Sequence, residues 1–138
     1  MKSQELRIGN YLDRNGLMEV RVICAGSIKI NDTVNKRYWP TYFDIDTFNP
    51  IPLTEEWLLK FGFVHDCATT DIHFWIDMVT HYLELRDFQR EWYPVYCQIP
   101  EMSHEGTQRC GINAIRYVHQ LQNLYYALTG EELIMKGE

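Results

Sequence analysis

Apolar and polar positions alternate in short runs over the first thirty residues, which predicts strands joined by tight turns. Leu6-Arg7-Ile8-Gly9-Asn10-Tyr11-Leu12 alternates until Asp13-Arg14-Asn15-Gly16. Asn15-Gly16 is a hairpin signal, because both residues tolerate positive φ. Met18, Val20, Val22 and Cys24 then share one side of a second run, against Glu19, Arg21 and Ile23. Ala25-Gly26 breaks it, and Ser27 to Asp32 makes a third. Three short strands around such turns suit a small, strongly curved, barrel-like antiparallel sheet. A fourth strand is expected from Tyr42-Phe43, ended by Asn49-Pro50-Ile51-Pro52, whose prolines fix an extended entry to the next element.

The period changes at Leu53. Thr54 is a good N-cap, Glu55 and Glu56 sit where the helix dipole favours negative charge, and Leu53 and Leu58 occupy the positions of a hydrophobic staple. Gly62 can end this helix in the left-handed conformation, with Phe63 folding back onto its last turn. The pattern predicts a short helix over 54–61. Alternation then returns in Ile72 to Asp77, Tyr82 to Phe88 and Trp92 to Ile99, a second antiparallel sheet. Pro94 cannot donate to a ladder, which places its strand at an edge or marks a bulge. From Ala114 through Tyr117, Val118, Leu121, Leu124 and Tyr125 to Leu128, apolar residues step by three and four. That spacing predicts a helix over 113–129, with Asn113 as N-cap and Gly130 as stop, lying across the second sheet. The fold class is α+β: a small N-terminal antiparallel sheet, a short helix, and a second antiparallel sheet covered by a C-terminal helix. The 138 residues suit a single domain, with sub-units at 1–53 and 54–138.

Charge divides the chain. Residues 1–53 hold 7 Lys and Arg against 6 Asp and Glu, whereas 54–138 hold 6 against 13. Arg21, Lys29, Lys36 and Arg37 are the nearest approach to the basic stripe a nucleic-acid binder requires. The net charge of −6 speaks against such a partner. No uncharged run approaches the ~18 residues of a membrane span. The opening Met1 to Leu6 lacks the apolar stretch of a secretory leader. The four cysteines, Cys24, Cys67, Cys97 and Cys110, form no Cys-x-x-Cys pair. Cytoplasmic residence with reduced thiols is the expectation.

Three segments carry a resemblance: Leu6-Arg7-Ile8-Gly9-Asn10, the Pro50 to Phe63 stretch (PIPLTEEWLLKFGF), and Tyr117 to Leu133 (YVHQLQNLYYALTGEEL). Together they resemble a family of small proteins of Bacteroidetes genomes and their phages and prophages. The resemblance implies a phage-associated or mobile-element-associated protein and brings no activity with it.

Candidate chemistry is sparse. His65 and Cys67, with His104 and Cys110, are of zinc-compatible type, but lack the usual close ligand spacing, and no metal or other cofactor is expected. Asp44-Ile45-Asp46 would project two carboxylates from one face of a strand, as a cation or acid–base site requires, or else form a solvated face with Ile45 inward. No nucleophile elbow or phosphate-binding glycine loop is present, so enzymatic activity is not favoured. His119, Gln120, Gln122 and Asn123 are amides and an imidazole where an exposed helix usually carries Lys and Glu. They suit directional hydrogen bonds, either to loop backbone of this chain or across an interface. Trp39 and Tyr42 are aromatics that either fill the core or line a binding face. These residues point to a non-enzymatic protein-interaction module, including an inhibitor of a host factor, binding a protein partner or a second copy. The alternatives are a small-ligand-binding or sequestering protein or small enzyme, and a nucleic-acid-binding β-barrel.

Overall fold

A computed structural model describes residues 1–66, 73–78, 81–89, 91–98 and 109–136. It is α+β, and the chain forms two compact units, Met1–Pro52 with Tyr117–Leu133, and Leu53–Arg116 with Ile134–Glu138.

The first unit is a four-stranded antiparallel meander: β1 (Tyr11–Asp13), β2 (Leu17–Cys24), β3 (Ser27–Asp32) and β4 (Arg37–Asp44), in that order. It is an open sheet and not a closed barrel, with β1 and β4 at its edges. The expected turns are present. Asn15 has φ 52° between β1 and β2, and Ala25 and Gly26 (φ 39° and 90°) join Cys24 to its partner Ser27. A two-residue turn with both φ positive matches the twist of the strands it joins. Two predictions need correction. Leu6–Asn10 is not strand: Gly9 takes φ 95°, and the Asn10 side chain accepts from the Arg7 amide at 2.7 Å. The fourth strand begins at Arg37 rather than Tyr42. Six of its eight residues are exposed, so no burial alternation marks it in the sequence. Its ladder with β3 shifts register between Ile28 and Ile30, and the β2–β3 ladder shifts between Val20 and Val22. Pro40 sits in this edge strand, where a missing N–H is tolerated. Leu12, Val20, Ile28, Ile30, Ile45 and Phe48 form the core, with Met18, Ile23, Trp39 and Phe43 against it.

The last helix, α2 (Val118–Thr129), belongs to this unit. It starts five residues later than the periodicity predicts, because the preceding residues are held extended. Ile115 exchanges backbone hydrogen bonds with Trp92 at 2.8 and 3.0 Å, and Arg116 accepts from the Leu53 amide at 2.8 Å. Tyr117, not Asn113, is the N-cap, and Gln120 accepts from its amide at 3.1 Å. The Gly130 stop is as expected, with φ 75° and its amide donating to Tyr126 at 2.7 Å.

The second unit begins with α1 (Glu55–Lys60), limited as the sequence predicts. Thr54 accepts from the Trp57 amide at 3.4 Å. Gly62, at φ 90°, donates to Leu59, and Phe63 donates to Leu58, the paired bonds of a Schellman motif. Five antiparallel strands come next, in sequence order: β5 (Val64–Asp66), β6 (His73–Met78), β7 (His81–Phe88), β8 (Glu91–Gln98) and β9 (Arg109–Gly111). Leu83 and Leu85 are fully buried, and Phe74 packs edge-on against Trp92 at 5.8 Å. Pro94 lies in a strand paired on both sides, opposite Leu85. Its missing N–H is accommodated where the β9 ladder ends at Gly111 and pairing with Trp92 resumes, one residue out of step, at Ile115.

Candidate functional site

The polar residues of α2 turn inward. Gln122 is fully buried; its Oε1 accepts from the Tyr11 amide at 2.9 Å, and its Nε2 donates to the carbonyls of Gly9 at 3.1 Å and Leu133 at 3.3 Å. Asn123 accepts from Asn10 Nδ2 at 2.9 Å and donates to the Glu5 carbonyl at 2.7 Å. The irregular backbone of residues 5–11 cannot satisfy itself as a ladder would, so two helix amides supply the missing partners. Of the two roles their composition leaves open, Gln122 and Asn123 therefore have the internal one. His119 is 1% exposed, lies parallel to the Tyr117 ring, and among the described residues neither ring nitrogen has a hydrogen-bond partner. Burial pushes its pKa below the ordinary 6.5; the Glu5 carboxylate opposes this and the N-terminal ammonium adds to it. The helix's buried face runs through Val118, His119, Leu121 and Gln122, not along the predicted apolar stripe alone.

Trp39 and Tyr42 lie on opposite faces of the first sheet. Trp39 packs on the core side, edge-on to Phe43 at 6.3 Å. Tyr42 is exposed on the outer side, under the Lys29 ammonium at 4.6 Å. Lys29 alternates with buried Ile28 and Ile30, which directs it outward. Beside it, Arg21, Val22, Asn31 and Tyr38 line a shallow outer groove of about 460 Å³. Arg21 is paired with Glu19 at 3.2 Å. Arg37 instead lies over Trp39 on the other side, at 4.1 Å. The four cations singled out in the sequence therefore do not form one stripe.

On the core side the β1–β2 turn and strands β2 to β4 line a half-open cavity of about 270 Å³, formed by Arg14, Asn15, Met18, Ile30, Asp32, Trp39 and Phe43. The Arg14 guanidinium stacks on Phe43 at 4.1 Å. Both Asp32 oxygens are occupied: Oδ1 by the amides of Val34 and Asn35, Oδ2 by Asn35 Nδ2 at 2.8 Å. The Asn35 side-chain hydrogen bond, first among these, holds the Asp32 carboxyl below its ordinary pKa. Sequence reasoning missed Arg14 and Tyr38, because pairs such as Arg14 with Phe43 are made only when strands distant in sequence come together.

The remaining candidates are not gathered. Asp44 ends β4 and accepts from the Asp46 amide at 2.9 Å, so it caps a 3₁₀ turn with Ile45 buried beneath; this corrects the two-carboxylate strand face. His65 is exposed and stacks on Phe74 at 4.9 Å. Cys67 and His104 lie outside the described residues, as does the side chain of Cys110, whose backbone pairs with Tyr96. Among the described residues no group of three or more His, Cys, Asp or Glu could hold a metal ion. Nor is any helix among them long and apolar enough to cross a membrane. Comparisons with family models, with curated proteins and with solved structures find no match.

Proposed function

We propose that this chain is a non-enzymatic protein-interaction module whose binding surface is the outer face of the N-terminal sheet. The observation that supports this most is the pair of tyrosines there: Tyr38 and Tyr42 are 48% and 47% exposed, beside Arg21, Lys29 and Asn31. Tyrosine and arginine are the side chains most enriched at energetic centres of interfaces, since each joins a large apolar contact to a polar tip. Three paired strands carry them, so the backbone is already ordered before a partner arrives and less ordering entropy opposes association. The phage or mobile-element setting, action in the cytoplasm and inhibition of a host factor rest on the resemblance and the composition, and belong to the same proposal.

The test is the double variant Tyr38→Ala/Tyr42→Ala. Both rings are exposed, so melting should shift little, within the ~0.5 kcal/mol typical of surface changes. Capture of the partner from phage-infected lysate should be lost, and capture that survives would remove this face as the binding surface. Sedimentation over a range of concentrations distinguishes a second copy of the chain from a different protein.

A further inference from the structure

The cavity on the core side of the first sheet is distinct from that outer face, and its chemistry is more specific. Arg14 lays its guanidinium on Phe43 at 4.1 Å and within 5.4 Å of Phe48. Among the described residues its side chain makes no hydrogen bond and no ion pair, although Asp32 lines the same cavity. Both Asp32 oxygens are already bound to Val34 and Asn35. A guanidinium stacked by its face keeps five N–H donors in its plane, in a fork that matches a carboxylate. The rest of the lining is Asn15 at the turn and Met18, Ile30, Trp39 and Phe43, which place apolar surface beside the donors.

We propose that this cavity binds a carboxylate carried on a small apolar body, the carboxylate on Arg14 and the apolar part against Trp39, Met18 and Ile30. Size and charge narrow the choice. The cavity of about 270 Å³ falls below the ~300–1,000 Å³ of pockets that enclose drug-sized ligands, so it suits one residue or one small acid rather than a nucleotide. Asp32 is held ionised in the wall, which penalises a doubly charged phosphate more than a singly charged carboxylate. Two sources share this chemistry: the apolar C-terminal residue of a protein, and a free small carboxylic acid.

Calorimetric and NMR titration of the intact chain with two matched probe pairs tests it. One pair is a hexapeptide ending in phenylalanine as free acid and as C-terminal amide; the other is 3-phenylpropionate and its amide. The free acids should bind saturably and at least tenfold more tightly than the amides, perturbing Trp39, Met18 and Ile30. Arg14→Gln should weaken the acids at least tenfold with the melting temperature retained. Tighter binding of the peptide acid than of phenylpropionate assigns the site to a protein C-terminus, and equal binding assigns it to a free acid; either supports the carboxylate site. Equal affinity for acid and amide, binding unchanged in Arg14→Gln, or no binding of any probe to the folded chain would overturn it. Loss of binding in Tyr38→Ala/Tyr42→Ala would also count against it, because those rings belong to the other face.

Discussion

The two sheets use the same antiparallel pairing for different ends. In the second, β6, β7 and β8 pair without a register shift from His73 to Gln98, and the central strand buries Leu83, Glu84 and Leu85 in succession. In the first, the β2–β3 and β3–β4 ladders slip, at Val20/Val22 and at Ile28/Ile30. A regular ladder maximises paired backbone and packed area, whereas a bulge re-aims the side chains on either side of it. The slips bracket the positions that matter here: Arg21 sits within one, and Lys29 lies opposite the extra residues Pro40 to Tyr42 of the other. In the irregular sheet, cations stack on rings with space beside them. Its loops also need outside help, which α2 provides through Gln122 and Asn123.

The contrast can be tested first in the cores. Leu121→Ala in the first unit and Leu83→Ala in the second each empty a fully buried site, and each should cost about 2–5 kcal/mol in a urea melt. A cost under 1 kcal/mol at either would show that side chain to be packed less tightly than its burial indicates. Gln122→Leu comes next. It would strand the Tyr11 amide and the carbonyls of Gly9 and Leu133, at about 1–3 kcal/mol for each group left unmet. Amide exchange should accelerate at Tyr11, while the β6–β8 ladders keep their protection. Uniform acceleration in both sheets would contradict this division of labour.

The smallest effect is a pH dependence, and its sign is set by His119. Its pKa is lowered in the folded chain, so the unfolded chain binds the proton more readily. Stability is therefore complete above pH 6.5 and falls as the pH drops from there towards the lowered folded value. Asp32, also lowered, contributes only in a separate window, below its ordinary 3.8. His119→Phe keeps a ring beside Tyr117 without a titrating nitrogen and should flatten the upper window alone. A profile between pH 6.5 and 4.5 unchanged by that substitution would show that other groups cause it.

The two helices mark how far the chain's own pattern reaches. For α1, the Thr54 cap, the leading glutamates and the Gly62 stop act within a few residues of one another, and the helix forms between those limits. For α2 the Gly130 stop and the Tyr117–Gln120 cap contact are local in the same way, but the position of its start is not. The five residues before it have suitable spacing, but Ile115 and Arg116 are drawn into extended pairing with Trp92 and Leu53, partners more than twenty residues distant. The same distinction separates what is legible of the candidate sites. Trp39 and Tyr42 stand out as aromatics in a turn-rich stretch, but nothing in their order shows that they face opposite ways. Gln122 and Asn123 stand out as amides out of place, but not as the partners of Tyr11, Gly9 and Glu5. Turns, caps and the period of each run are properties of neighbouring dihedral angles and side chains, so the residue order is enough to establish two antiparallel sheets, a short helix and a terminal one. The slipped registers, the inward face of α2 and the meeting of Arg14 with Phe43 depend on backbone groups and rings brought together from distant positions, and only the packed chain decides those.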